Sequence, residues 1–475
     1  MMQALTHQEQ TLQMLVSKAQ KTVFGKDHHF DQIHTPQEFR EAVPVRDYEQ
    51  IKSYIEEVKS GKENILWKGK PVYFAKTSGT TSGAKYIPIS NVSIPFHIQA
   101  ARNALLCYIA ETGNADFVNG QMIFLSGSPE LERNNGILTG RLSGIVNHHV
   151  PPYLRRNQMP SYATNCIEDW ETKLDAIVEE TIAQDMTLIS GIPPWMQMYL
   201  DKLQEKSGKK TADLFKNLSL IVHGGVNFEP YHAKLMDTIG KKIDTIETFP
   251  ASEGFFAFQD TQTEEGLLLN TNAGMYFEFI PLDEMEKVSP TRLTLADVKI
   301  GINYALIVST NAGLWAYNIG DTIKFVSLHP FRIVVTGRIK HFISAFGEHV
   351  IAEEVEHAMR VTCEKMNVKT IEFTVAPFVA ADHGKSYHEW FIEFEQTPTD
   401  LHAFAQELDR QLRMKNTYYD DLISGGILSI LQIRPLQKNA FIQYMKSIGK
   451  LGGQNKTARL SNNRVIAEDL RGFVL

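Results

Sequence analysis

"LSLIVHGGVNFEPYHAKLMDTIGKKIDTIETF", residues 218–249, reads as strand, helix, strand. Residues 218–226 form a buried-strand run that ends in two glycines. "YHAKLMDTIGKK" has helical character, and "IDTIETF" (243–249) is again a strand. Just upstream, "MTLISGI" (186–192) is another apolar run, with a helix beginning after Pro193 and Pro194. Such alternation argues for a mostly parallel α/β sheet. Ligands in sheets of this kind bind beyond the carboxyl ends of the strands.

Toward the N-terminus, Thr6 to Glu9 has capping-box spacing. Leu12, Leu15, Val16, Ala19 and Val23 then mark one helical face, and Gly25 is expected to end that helix. A second helix, "VRDYEQIKSYIEEVKSGK", is expected to stop before Gly61. "VYFAK" (72–76) and "KYIPIS" (85–90) are β-prone, so the segment between them joins two strands. After about residue 336 the texture changes. "GRIKHFISAFGEHV" looks like a hairpin, followed by the helix "AEEVEHAMR" and the strands "IEFTVAPFV" and "HEWFIEFE". A helix with Leu401, Phe404, Ala405, Leu408 and Leu412 on one face comes next, and "ILSILQIRPL" closes a compact α+β unit.

The bulk numbers restrict the function classes. A chain of 475 residues is long for one core and implies two or more domains. Forty-eight basic against 55 acidic residues give a net charge of −7, which does not favour a nucleic-acid partner. Cys107, Cys166 and Cys363 fit neither a metal site nor a closed disulfide framework, and point to a reducing, cytoplasmic setting. The start, "MMQALTHQEQ", lacks signal-peptide regions, and no run approaches the ~18 apolar residues of a membrane span.

The segment between the two strands, "TSGTTSGAK" (77–85), carries the chemistry. A Walker A loop needs Gly, four residues, then Gly-Lys-Ser/Thr. Here Gly83 is followed by Ala84, Lys85 and Tyr86, so that motif is absent. The ingredients of an anion cradle remain. Gly79 and Gly83 let backbone N–H groups face an anion. Thr77, Ser78, Thr80, Thr81 and Ser82 supply donors, and Lys85 supplies a point charge. The same composition also suits a solvated hairpin loop.

"TSGTTSGAK" resembles the phosphate loop of the acyl-adenylate-forming superfamily. With "KAQKTVFGKDHHF" and "FREAVPVRDYEQIKSYIEEVKSGKENILWKGKPVYFAKTSGTTSGAKYIPIS", the chain resembles the auxin-responsive Gretchen Hagen family of acyl acid–amido synthetases. The resemblance implies a large N-terminal adenylate-forming domain with mostly parallel sheets, residues 1–337, for ATP and the acyl substrate. It implies a small mobile C-terminal α+β domain over residues 338–475. In "FPASEG" it gives Glu253 the role of Mg²⁺ ligand, a fitting one because Mg²⁺ takes oxygen ligands beside nucleotide phosphates. Ser252 belongs to the same nucleotide segment, and Phe249, where the family often has tyrosine, packs on the adenine. "HGGVNF" places Gly225 and Val226 along the adenine. "YNIGD" gives Asp321 the ribose hydroxyls, with Asn318 where the superfamily has arginine. In "TGRIKHF", Arg338 lies near the ribose and Lys340 falls at the hinge. "GGQNKTARL" makes Lys456 the mobile catalytic lysine, with Lys450 as competitor and Ala458 in place of the family's proline.

The resemblance thus implies ATP and Mg²⁺ as cofactors, a small carboxylic acid as substrate, and an amino acid as acceptor. "GIPPWMQMYL" suggests Trp195 and Met198 for the acyl pocket, although core-helix roles suit them equally. His149, beside His148 in "NHHVPPY", is a further pocket candidate. Two other readings stay open: an acyl-coenzyme A ligase, and a catalytically inactive nucleotide-binding regulator. Retention of Lys85, Glu253, Asp321 and a C-terminal lysine together argues against the second.

Overall fold

The computed structural model describes residues 2–77, 85–225, 228–285, 287–339, 342–343, 350–378, 386–424, 428–452, 457–461 and 464–475. The chain divides into two compact units, Met1–Val335 with Gly452–Gln454, and Thr336–Leu451 with Asn455–Leu475.

In the first unit, strands Gln158–Met159, Gln121–Phe124, Met186–Gly191, Leu220–Gly224 and Asp244–Ala251 lie side by side in that order, with every pairing parallel. This is the arrangement that strand–helix–strand alternation predicts. Helices Pro193–Ser207 and Glu229–Ile239 connect successive strands and pack on each other. The long helix Ile94–Thr112 packs against these strands too. Its Ala100, Ala104 and Tyr108 bury against Met122, Leu188, Leu220, Ile246 and Phe255. After Ala251 the chain reverses, and Gly254–Phe258 returns antiparallel to Asp244–Ala251. The sheet then continues through Leu267–Leu269, Phe331–Arg338, Tyr317–Leu328, Asn303–Thr310 and Met275–Pro281. A second sheet orders Lys85–Ile89, Tyr73–Thr77, Ile137–Gly140 and Glu132–Asn134.

The N-terminal helix departs from the sequence expectation. It runs Met2–Ala19, so Thr6 lies inside it and does not cap it. Thr22 instead caps a short second helix, Val23–Asp27, which contains Gly25. Gly25 is small for a packing reason: a Cβ there would lie 2.2 Å from the Ala19 carbonyl oxygen. The next expected helix is present as Tyr48–Lys59, with Asp47 and Gln50 closing a capping box. This helix bears on the hydroxyl-rich segment, because the buried Tyr48 hydroxyl accepts from the Tyr86 N–H at 2.9 Å. Asp47→Ala is expected to lower stability by about 1 kcal/mol through loss of the cap. Chemical denaturation of the two proteins measures this directly.

In the second unit, Phe342–Ile343 pairs antiparallel with Val350–Ile351, as the hairpin reading anticipates. Helix Ala352–Met366 follows. Strand Tyr387–Phe394 pairs antiparallel with Thr370–Phe378 and parallel with Gln432–Leu436. Helix Leu401–Lys415 buries Phe404, Ala405, Leu408 and Leu412, the stripe seen in the sequence. One fully buried carboxylate, Glu389, is met by Arg434 at 2.8 Å, Arg464 at 2.7 Å and Arg471 at 3.4 Å. Burying a charge is costly unless it is paired in this way.

Candidate active site

The hydroxyl-rich segment is seated by its flanks. Thr77 and Lys85 end two antiparallel strands and face each other in register. The Lys85 ammonium also lies 5.8 Å from the Tyr48 ring centre. Ser78, Gly79, Thr80, Thr81, Ser82 and Gly83 lie outside the described residues, as do Val226, Lys340 and Lys456.

The two glycines of "HGGV" have different reasons. A Cβ on Gly224 would lie 2.3 Å from the Thr248 carbonyl oxygen, so the neighbouring strand approaches too closely for a side chain. Gly225 has φ +79°, the left-handed conformation that glycine adopts without penalty. The Thr248 hydroxyl donates to the His223 carbonyl at 2.9 Å, which locks these strand ends together. The His223 ring stacks on Phe228 at 3.8 Å. Burial, reinforced by His232, pushes the His223 pKa down to about 3, so this imidazole is neutral. Its buried Nδ1 has no hydrogen-bond partner among the described residues.

Phe249 lies one residue past Thr248 on the adjacent strand. It is 7% exposed, and its ring meets Phe256 edge-on at 5.1 Å. Three residues beyond, Ser252 begins with Glu253 the half-buried turn that joins Asp244–Ala251 to Gly254–Phe258. The element after Glu253 is a strand, which removes a helix-capping role for this carboxylate. Gly254 lets Met275 pack tightly beneath the turn, since a Cβ there would lie 2.2 Å from the Met275 sulfur. Gly225, Phe249, Ser252 and Glu253 are thus gathered at the carboxyl edge of two neighbouring parallel strands. Glu247, earlier on the same strand, is partly exposed by area but crowded by protein, and burial raises its pKa to about 7.

Asp321 occupies a bulge. Ala305 pairs with Thr322 and Ile307 with Asn318, so Leu306 alone faces Ile319, Gly320 and Asp321. Gly320 takes φ +87°, and its N–H donates to Asn318 Oδ1 at 2.9 Å. Bulges re-aim side chains, and this one presents a carboxylate from inside a strand. Arg338 ends its strand and is exposed. The sheet order sets two strands, Phe331–Arg338 and Leu267–Leu269, between the Asp321 strand and strand Gly254–Phe258, which follows Glu253 directly.

The acyl-pocket candidates separate. Trp195 lies in the first turn of Pro193–Ser207, just past strand Met186–Gly191, and is 4% exposed; Met198 is half-buried one turn on. The His149 Nε2 and the Tyr73 hydroxyl share a hydrogen bond at 2.9 Å. Tyr73 starts the strand that ends at Thr77, so His149 is held at the end of that strand opposite Thr77, Tyr73 and Thr77 being roughly 13 Å apart at ~3.3 Å per residue. Burial and the neighbouring His148 lower the His149 pKa.

A group that sequence reasoning passed over lies just past strand Gln121–Phe124. Lys173 is 2% exposed and donates to the carbonyls of Ser126 at 2.9 Å and Asn165 at 2.7 Å. Burial, then the charge of Arg141, lowers its pKa to about 8. The signal was its spacing: Lys173 precedes Ile177 and Thr181 at four-residue intervals, which places a charge on a buried stripe.

The GH3 family N-terminal domain signature matches residues 1–243, the central domain 268–338, and the C-terminal domain 353–465. The chain belongs to the GH3 family. This GH3 protein is 21% identical to the jasmonoyl–L-amino acid synthetase JAR4 of Nicotiana attenuata, an alignment covering 95% of this chain and 90% of that one. It is 26% identical to the indole-3-acetic acid-amido synthetase GH3.10 of Arabidopsis thaliana over 41% of this chain and 36% of that one. In fold it resembles the GH3.15 acyl acid amido synthetase, with a TM-score of 0.81 at 16% identity, covering 99% and 94% of the two chains. It also resembles a 2-hydroxyisobutyryl-CoA ligase in the postadenylation state, with a TM-score of 0.61 at 11% identity over 98% and 91%. The α/β fold with a smaller C-terminal unit is therefore that of GH3 and adenylate-forming enzymes.

Proposed function

We propose that the protein is an ATP-dependent ligase that activates a carboxylic acid as acyl-AMP and transfers the acyl group to the amine of an amino acid. The observation that carries this reading is the gathering of Gly225, Phe249, Ser252 and Glu253 at the carboxyl edge of the parallel strands, in a member of the GH3 family. That edge is where ligands of α/β sheets bind. In the first half-reaction a carboxylate oxygen of the acid attacks the α-phosphorus of ATP, and pyrophosphate leaves. In the second, the amine nitrogen attacks the acyl carbon, AMP leaves, and the nitrogen gives up a proton.

The chain's own groups divide this work. Thr77, Lys85 and the segment between them hold the β- and γ-phosphates. Gly225 and Val226 line the adenine, Phe249 packs on it, and Ser252 stands beside the nucleotide. Asp321 accepts the ribose hydroxyls and Arg338 lies near them. Trp195, Met198 and His149 belong to the acyl side. The N-terminal part, residues 1–337, carries adenylation; residues 338–475 turn about Lys340 between the half-reactions; and Lys456 serves the first of them. Among the described residues no cluster of three or more metal-binding side chains exists. A single carboxylate, Glu253, fits Mg²⁺ that arrives on nucleotide phosphates, because that ion keeps water and phosphate ligands. When bound it supplies positive charge to the phosphate oxygens.

A pyrophosphate-exchange screen across carboxylic acids, repeated with amino acids as acceptors, tests the reading. Exchange with at least one acid and an amide product support it. Exchange with thioester formation from coenzyme A, and no amide, moves the protein to the acyl-coenzyme A ligases. Asp321→Ala is expected to weaken ATP binding by about ten- to a hundredfold, since hydrogen bonds to a charged acceptor are the stronger ones. Calorimetry with ATP and 2′,3′-dideoxy-ATP checks it: a wild type that binds both equally removes Asp321 from the ribose.

A further inference from the structure

Strand Lys85–Ile89 is the outermost of its sheet among the described residues. The outer edge of a strand carries main-chain donors that must find partners. Here the Tyr86 N–H faces outward and donates to the buried Tyr48 hydroxyl at 2.9 Å. The next outward position, two residues on, is Pro88, which has no N–H. Tyr48 thus takes the outward donor next to Lys85, and its ring centre lies 5.8 Å from the Lys85 ammonium. That separation is within the reach of a cation over an aromatic ring. A second cation, Lys59, from the last turn of the same helix, lies 4.1 Å from the Tyr86 ring centre. Helix Tyr48–Lys59 therefore grips this strand from both of the helix's ends.

The start of this helix is pinned from the other side. Arg46 N–H donates to the Ala316 carbonyl at 3.1 Å, and Asn318 N–H donates to the Arg46 carbonyl at 2.8 Å. Arg46 thereby pairs parallel with Tyr317, at the head of the strand that carries Asp321. Its guanidinium donates to His28 Nε2 at 3.0 Å and lies 5.3 Å from the Phe24 ring centre. Ala316 has φ +43°, a left-handed conformation that an alanine keeps only where its surroundings hold it, and its N–H donates to Ser309 Oγ at 2.9 Å. Arg46 and Tyr48, two residues apart, thus join the strand of Asp321 to the strand of Lys85.

We infer that Tyr48 is a positioning residue for Lys85: its ring seats the ammonium and its hydroxyl fixes the amide of the following residue, so that the lysine's charge is held ready for the phosphates of the nucleotide. A lysine side chain is a point charge on a flexible stem, and a group that is preorganised loses less freedom when its ligand arrives. Tyr48 acts through Lys85 and the Tyr86 amide, not on the nucleotide. The inference rests on the ligase reading for its ligand, ATP, and for the role of Lys85 toward the β- and γ-phosphates. It deepens that reading by naming the side chain through which helix Tyr48–Lys59, and behind it the strand of Asp321, bears on the phosphate end.

The test is calorimetric titration of the full-length chain with ATP and with AMP, each in the presence of Mg²⁺. AMP lacks the two phosphates assigned to Lys85. Tyr48→Leu removes ring and hydroxyl and is expected to weaken ATP binding about two- to thirtyfold, the range of one cation–π contact, while AMP affinity stays in place. Tyr48→Phe keeps the ring and is expected to recover part of the loss. In a Lys85→Met background the same Tyr48→Leu change is expected to cost little ATP affinity, because two residues of which one acts through the other are not additive. Melting curves accompany each variant. Unchanged ATP affinity in Tyr48→Leu, equal weakening of ATP and AMP, or an ATP loss as large in the Lys85→Met background as in the wild type, overturns the positioning role. A wild type that binds ATP no more tightly than AMP overturns the phosphate role of Lys85 and the positioning role with it. Pyrophosphate exchange reports separately on the ligase reading: coupling of Tyr48 to Lys85 in ATP binding, without exchange for any acid, supports the positioning role and sinks the ligase.

Discussion

Replacing Glu253 with glutamine is expected to lower pyrophosphate exchange by a hundred- to a thousandfold while leaving the fold intact. The substitution is nearly isosteric and sits in a half-buried turn between two strands, so the close approach of Gly254 to Met275 is untouched. What changes is charge. A divalent cation on nucleotide phosphates favours an anionic oxygen, and an amide oxygen is a poor replacement. The loss falls where negative charge builds on the phosphate oxygens, and one preorganised electrostatic contact there is worth about 10²–10³ in rate. The measurement is exchange at saturating Mg²⁺, with a melting curve beside it. Exchange at the wild-type rate in a normally folded variant takes Glu253 out of the mechanism.

The parts of this architecture that repeat a local rule were readable from the chain. Residues 218–249 carry strand, turn and helix chemistry in one run, and the parallel pairing of Leu220–Gly224 with Asp244–Ala251 follows from it. The stripe on Leu401–Lys415 was readable for the same reason. Where packing between distant residues decided the outcome, local reading failed. Gly25 looks like a helix stop, but its role is to let the Ala19 carbonyl approach. Thr6 and Glu9 have capping spacing, but the helix already starts at Met2. The bulge at Asp321 depends on a register shift against Asn303–Thr310, which the string "YNIGD" does not display. Lys173 was legible as a charge on an apolar stripe.

Lys456→Ala is expected to separate the two half-reactions, depressing acyl-AMP formation by about a hundredfold or more while sparing transfer from synthetic acyl-AMP to an amine. The lysine's proposed charge is needed where α-phosphate oxygens become more negative. Its contribution therefore belongs to the transition state of adenylation and not to substrate binding. In the proposed mechanism the C-terminal part has turned by the time transfer breaks the bond between acyl carbon and AMP, so the same ammonium is no longer required. Lys340→Pro should show the opposite bias. Proline fixes φ and removes an N–H, stiffening the pivot on which the turn depends. Single-turnover kinetics of each half-reaction in both variants read the two effects independently. An equal slowing of both halves by Lys456→Ala, or no slowing of either, ends the assignment. Lys450, six residues earlier, then becomes the candidate, and Lys450→Ala in the same assay decides between them.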